Sequence, residues 1–360
     1  MAYTTIDDPS KHFDVTLWTG TGGARTISGL NHKPDLIWTK TRSVAYNHMW
    51  SDSTRGFNAN SEIGSNSTAA EGGLSAETYG YKSGHTSDGW TMVDGTDTSD
   101  NQEDCNTNQP SVTYVGWTWA ANGGTTASNS NGTITSTVQA NTDAGFSIIS
   151  YTGNGSDGAT IGHGLSQTPQ IFFPKCLSTS TNWEMYYFPT GGTRQYGYLN
   201  LTNAFNTWPH NAPSSTIISL SGSGDSNGNG RSNIGYAFHS VQGYSKIGTY
   251  TGNGNADGPF VYTGFKPAWL MVKNTADSSR HWQLMDNKRS TTNEIDAYIQ
   301  ANASGTEATG SSQHKFDFLS NGFKLRGTAD NVNDSGDTHL FMAFAEHPFV
   351  SSEGVPVTAR

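Results

Sequence analysis

The sequence predicts an all-β protein built from tandem antiparallel β-sandwich modules of the jelly-roll or concanavalin-like kind. Three observations carry this reading. A glycine-bounded phrase is written three times at a spacing of roughly one hundred residues, too long for a solenoid unit and suited to a small all-β domain. The 360 residues include 42 glycines and an 11% aromatic share against only 14% charged residues. Asn, Ser, Thr and Gly fill the space between aromatic and β-branched runs, as tight turns between pleated strands require. The regularly placed Trp, Tyr and Phe argue against disorder, since disordered segments lack aromatics to bury.

The phrase is clearest over residues 146–175, FSIISYTGNGSDGATIGHGLSQTPQIFFPK. An alternating apolar run ends in Tyr151, and the turn Thr152-Gly153-Asn154-Gly155 follows. Ile161 and Leu165, Pro169, the trio Ile171-Phe172-Phe173 and Lys175 complete it. Downstream, Tyr250-Thr251-Gly252-Asn253-Gly254, Val261, Phe265, Pro267, Trp269-Leu270-Met271 and Lys273 repeat the pattern. Upstream, Trp18-Thr19-Gly20, Gly22, Ile27, Leu30, Pro34, Leu36-Ile37-Trp38 and Lys40 form a worn copy. An aromatic segment follows each lysine: His48-Met49-Trp50, Trp183-Glu184-Met185-Tyr186 and Trp282-Gln283-Leu284-Met285. Each copy closes on an apolar strand, at residues 114–119, 234–238 and 340–344.

Taken in order, residues 1–12 are a polar lead-in expected to stay loose or to extend along a neighbouring subunit. Module 1 covers 13–120, and its insert at 58–89, rich in Ser, Ala, Gly and Glu, is expected to be functional or mobile. Residues 121–133, ANGGTTASNSNGT, have the composition of a flexible linker. Module 2 covers 134–240 and opens on a β-branched strand. Module 3 covers 241–360 and follows so closely that it is expected to pack on module 2 as a rigid pair. Only 292–303 is allowed a turn or two of helix.

A net charge of −10 with no basic run argues against a nucleic-acid partner, which needs clustered Lys and Arg to release counterions. The longest apolar run, residues 340–345, is too short to cross a bilayer, so no membrane insertion is expected. The start, MAYTTIDDPSKHF, lacks the basic and apolar regions of a secretory signal. Cys105 and Cys176 lie in different copies with unlike flanks and read as incidental thiols of a chain folded in cytoplasm.

The turns GNGSDG and GNGNADG precede β-branched strands rather than helices, so they are hairpin turns and not phosphate cradles. The loop from Asp225 through Asn227 and Asn229 has the alternating oxygen ligands of a calcium loop, but Tyr236 stands where the bidentate carboxylate belongs. Comparable acidic loops carry Asp94, Asp97, Asp100, Glu103 and Asp104 in module 1, and Asp330, Asp334 and Asp337 in module 3. Calcium would neutralise such clusters; solvated acidic loops account for the same residues. Trp50, Trp183 and Trp282 are the candidate ligand-binding side chains, since aromatic faces stack on sugar rings; their repeated in-strand position equally suits a sandwich core. The recurrent Lys40, Lys175 and Lys273 suit stems laid over aromatics. No catalytic residues are expected: there is no paired-carboxylate site, no G-x-S-x-G elbow, no HExxH and no Cys/His metal spacing. His163, between two glycines, has no partner that sequence can name.

The phrases GFSIISYTGNGSDGATIGHGL, GYSKIGTYTGNGNADGPFVYTGFKPAWLMVK, FLSNGFKLR and LFMAFAEHPFVSSEGVPVTAR resemble a family of repeat proteins from tailed bacteriophages, especially marine cyanophages. The resemblance covers residues 133–360 and, more loosely, 13–120. It implies a virion structural protein with β-sandwich modules, a tail-fibre-like exterior appendage assembled in host cytoplasm, and attachment to host-surface glycans. Other virion proteins and further copies of itself, in a homotrimer or another symmetric homo-oligomer, are the implied partners. A purely architectural capsid-decorating or fibre-forming part is the alternative, and a polysaccharide-degrading enzyme a lesser one.

Overall fold

The computed structural model describes residues 3–99 and 102–356; Asp100 of the first acidic loop lies outside them, as do the first two and last four residues. Seven strands come from the first third: β1 (Phe13–Thr19), β2 (Arg25–Ser28), β3 (Leu36–Thr41), β4 (Met49–Asp52), β5 (Tyr81–Thr86), β6 (Gly89–Val93) and β7 (Thr113–Trp119). The middle third supplies β8 (Ala127–Asn129), β9 (Ser136–Asn141), β10 (Phe146–Thr152), β11 (Thr160–Gly162), β12 (Ile171–Cys176), β13 (Glu184–Tyr187), β14 (Gln195–Tyr198), β15 (Asn206–Thr207), β16 (Ile217–Ser219) and β17 (Ser232–Phe238). The last third supplies β18 (Ser245–Thr251), β19 (Phe260–Tyr262), β20 (Phe265–Asn274), β21 (Gln283–Asp286), β22 (Ile299–Gln300), β23 (Phe316–Leu319), β24 (Gly322–Leu325) and β25 (Thr338–Pro348). The protein is all-β, and its strand pairs are antiparallel. Helix is confined to single turns such as Ala76–Tyr79 and Asp330–Asn333. The stretch 292–303, expected to allow a turn of helix, instead carries β22, which pairs with β21.

The same four-strand order recurs: β1-β7-β3-β4, then β13-β12-β17-β10 within a larger sheet, then β18-β25-β20-β21. Opening strand, closing strand, post-proline strand and aromatic strand thus sit side by side each time. A smaller sheet covers one face of each: β2-β6-β5, β11-β16 and β19-β24-β23. Trp18, Ile37, Trp90 and Tyr114 fill the first sandwich, Tyr151, Phe172, Tyr186 and Ile218 the second, and Leu270, Phe318, Phe323 and Phe341 the third.

The opposite faces of the three large sheets pack on one another. Trp38, Trp117, Trp119, Phe173, Tyr236, Phe238, Trp269, Met342 and Phe344 belong to this one shared core. That is why β7, β12, β20 and β25 are apolar at consecutive positions rather than alternating: both faces of each strand are covered. Trp119, Phe238 and Phe344 occupy the same place in their closing strands, each opposite the first residue of its opening strand. Their rings form a triangle with centroids 6.3, 6.0 and 5.7 Å apart. A void of about 10 Å³ remains beside them, lined by apolar side chains including Trp38, Phe173 and Met271. An apolar hole of this size offers water no partners.

The polypeptide closes into a ring around that axis. Glu71 N donates to Leu177 O at 2.9 Å, Phe205 N to Thr275 O at 2.9 Å, and Glu307 N to Arg42 O at 2.8 Å. These are the same bond made from module 1 to 2, from 2 to 3 and from 3 to 1. The expected packing of module 3 on module 2 is one of three such joints, because module 1 is joined to both. Parts of the expected linker are held as well: Ala127–Asn129 pairs with β9, and Ala121 N and Gly123 N donate to the buried Asp35. The insert at 58–89 contributes joints. Ile63 bridges Trp50, Ser65 Oγ donates to Ala301 O at 2.6 Å, and Glu71 reaches module 2. The lead-in lies on module 3 of its own chain, with Thr4 Oγ1 donating to Gln242 O and Tyr3 Oη to Gly264 O.

Candidate functional site

Each glycine-bounded turn is clamped by an asparagine; sequence reading singled out Asn227 only as a calcium candidate and passed over Asn108 and Asn333. Asn227 Oδ1 accepts from Asn154 N at 3.0 Å, and its Nδ2 donates to Ser156 O at 2.9 Å. Asn333 holds Asn253 N in the same way at 2.9 Å, and Asn108 holds Thr21 N at 3.2 Å. A Cβ on Gly153 would stand 2.5 Å from Gly228 O, so the clamping loop requires glycine there. The available signal was a spacing: each asparagine precedes by six residues the closing-strand partner of Trp18, Tyr151 or Tyr250.

Of the candidate calcium residues, Asn227 is buried and committed to that turn, Asp225 Oδ1 accepts from Asn182 N at 2.9 Å, and Asn229 is exposed. Among the described residues no group of three or more His, Cys, Asp or Glu side chains is placed to hold a metal ion. Both cysteines are buried free thiols.

The three candidate tryptophans are closed to ligands. Trp50, Trp183 and Trp282 are 3%, 0% and 1% exposed, and all belong to the shared core. Strand register also shows that Trp50 is not the counterpart of the other two. Lys175 bridges Trp183, Val272 faces Gln283 and Thr39 faces Met49, which puts His48 at the equivalent position. His48 Nδ1 accepts from Trp38 Nε1 at 2.8 Å, so Nε2 carries the proton and donates to Gln300 O at 3.0 Å across the joint between modules 1 and 3. Burial holds its pKa well below the ordinary value. Trp282 Nε1 makes the matching bond to Tyr198 O at 2.9 Å.

Two of the three recurrent lysines are joint residues too. Lys175 Nζ donates to Thr68 O of module 1, and Lys273 Nζ to Thr202 O of module 2. Lys40 Nζ stays within its own module, on Thr41 O. Burial lowers their pKa values to about 8, about 7 and about 7, respectively. Asp52 takes Arg55 at 2.6 Å and Tyr236 Oη at 2.8 Å. Asp286 likewise takes Arg289 at 2.6 Å and Trp117 Nε1 at 3.1 Å. Buried Glu184 accepts from Tyr186 Oη at 2.6 Å and Ser223 Oγ at 3.0 Å. His163 accepts from Leu165 N and meets Ser214 O. These groups serve cohesion.

The open candidate site lies elsewhere, where β17 hands over to β18. Two adjoining clefts of about 650 and about 580 Å³ share Ser166, Gln167, His239, Ser240 and Lys246. His239 is buried, its Nδ1 donates to Ser240 O at 3.0 Å, and its Nε2 has no partner. Burial lowers the pKa of this ring, so Nε2 is a free acceptor. Gln170 Oε1 accepts from Ser240 N at 2.8 Å, which orients its amide at the wall of the smaller cleft. On the neighbouring edge strand β19, Phe260 and Tyr262 are about half exposed on one face. Tyr262 Oη meets Tyr3 Oη at 3.0 Å at the rim of the larger cleft.

No curated protein and no solved structure matches the chain. A family profile described as a domain of unknown function (DUF7483) matches residues 8–348, a span that takes in all three modules and the ring they close. The chain belongs to that family.

Proposed function

We propose that the chain is a structural component of the exterior of a virus particle, an appendage of the tailed-bacteriophage kind its phrases resemble, and that it attaches the particle to host-surface glycans. The observation that supports this reading is the closed ring: the buried lysines, aspartates and arginines hold modules to one another rather than facing a reaction chamber. Such a part gains durability without disulfides, and three sandwiches packed on a common core leave few long free sheet edges. The modules are proposed to be jelly-roll or concanavalin-like, and the protein to act without catalysis. It would be assembled in host cytoplasm, carried in the virion beside other virion proteins, and self-associated as a symmetric homo-oligomer, with a homotrimer as the state to test first.

A mass-spectrometric inventory of purified particles tests the placement: the chain is expected among the stoichiometric components, and its absence would overturn the reading. A purely architectural role is favoured by the same closure, because a ring sealed on one core needs no ligand to be sturdy. A glycan array separates the two, and assay of reducing-sugar release from host polysaccharide separates both from an enzyme.

A further inference from the structure

We propose that the paired cleft at the handover from β17 to β18 is the saccharide-binding site of this protein and takes an extended, largely neutral oligosaccharide. The inference rests on the attachment reading and adds the place and the ligand class. The walls are hydroxyl and amide groups, and among the described lining residues Lys246 and Asp143 are the charged ones. A phosphate-rich ligand needs clustered cations, which this cleft does not offer. An apolar ligand needs apolar walls with few polar groups, the reverse of what lines it. A chain of sugar hydroxyls, each both donor and acceptor, matches this lining.

Three features give the site built-in direction. His239 Nε2 is a buried acceptor without a partner, an arrangement that costs stability unless a donor arrives. The Gln170 amide is fixed through Oε1, which accepts from Ser240 N, leaving its Nε2 group as a donor. The half-exposed ring of Tyr262 beside Tyr3 supplies a flat apolar face at the rim, the surface on which a pyranose ring stacks. Together these place an acceptor and a donor in the paired cleft and a stacking platform beside its rim. Neither of the other two closing strands has a histidine at this position: Ala120 and Ala345 follow Trp119 and Phe344. The site therefore belongs to one joint and not to the repeat.

The test uses the full chain on an array of defined oligosaccharides, followed by titration of each array ligand against wild type and three variants. Gln167→Ala and Tyr262→Ala change exposed side chains, and His239→Phe removes the acceptor while keeping a ring. Wild type is expected to bind, and each variant to bind about tenfold more weakly, as loss of one hydrogen bond or stacking contact implies. Melting temperature should be unchanged for the two exposed variants, which keeps the result readable if His239→Phe folds poorly. Binding that survives undiminished in Gln167→Ala and Tyr262→Ala would overturn the cleft while leaving attachment elsewhere intact. No binding to any arrayed sugar would overturn the cleft as well. Absence of the chain from purified particles would instead remove the particle assignment and leave the sugar site standing.

Discussion

Glu307 donates its backbone N–H to the carbonyl of Arg42 at 2.8 Å, and its carboxylate receives the Arg42 guanidinium at 2.8 and 3.0 Å. Two residues 265 positions apart thereby seal the joint between the last module and the first. The same carboxylate also meets Arg289, whose side chain is fully buried, at 3.3 Å. Glu307 is thus shared between a partly exposed cation and a buried one.

Removing the two ends of this joint should have unequal effects. Arg42→Ala is expected to cost about 1 kcal/mol, because its side chain remains partly solvated. Glu307→Ala should cost about 3 kcal/mol, since it leaves the buried Arg289 with Asp286 as its remaining carboxylate. Urea unfolding of both variants measures the difference, and equal losses would contradict the sharing.

The common core makes the three modules one cooperative unit. Calorimetry should show a single unfolding transition, and Trp119→Ala should lower it as a whole by about 3–5 kcal/mol. Resolved transitions, with only one moved by the substitution, would mean that the modules unfold independently.

Stability should rise with pH between about 7 and the onset of tyrosine ionisation near 10. Lys40 and Lys273, with folded pKa values of about 7, and Lys175, at about 8, lose their protons in the folded state well before the unfolded chain does. Across that window the unfolded state binds more protons, so raising the pH favours folding by on the order of 1 kcal/mol per pH unit for each lysine. Above it the trend should reverse, because buried Tyr236 and Tyr250 hold their protons more tightly when folded. Lys273→Met should flatten the rise in urea titrations between pH 7 and 9.5.

The asparagine clamp gives a test independent of metal. Asn227→Ala should cost about 2 kcal/mol, because it removes two hydrogen bonds made by a buried side chain. Its melting temperature should fall by the same amount in calcium and in chelator. Rescue of wild-type stability by calcium would show instead that the loop binds the ion.

The repeat, the antiparallel strands and their turns were legible because each has a local signature: alternating apolar runs, Gly-Asx-Gly turns and a proline before the apolar trio. The common core was not. Strands such as β7 are apolar on both faces, and a run of this kind says that both sides are covered without saying by what. Nor could spacing alone fix register: His48, just before β4, and Trp50 within it are two residues apart, and the aromatic identity of Trp50 drew the alignment two positions too far. The lysines were legible as repeated positions, but their acceptors, Thr68 and Thr202, lie in neighbouring modules with no signature that names them. The cleft at His239 is outside the repeated pattern altogether, which is why a reading built on repetition passed over it.

Asp52 and Asp286 hold equivalent places at two joints, and Tyr187 stands at the third. Their partners differ in step: Tyr236 meets Asp52, Trp117 meets Asp286, and Met342 holds the corresponding position in the third closing strand. The two aspartate contacts act as separate locks, each opened by one key. A copy of the unit offered to the wrong neighbour would bury an aspartate against a thioether or leave a phenol unmatched, so divergence among the copies fixes a single order of assembly and discourages exchange of units between chains during folding.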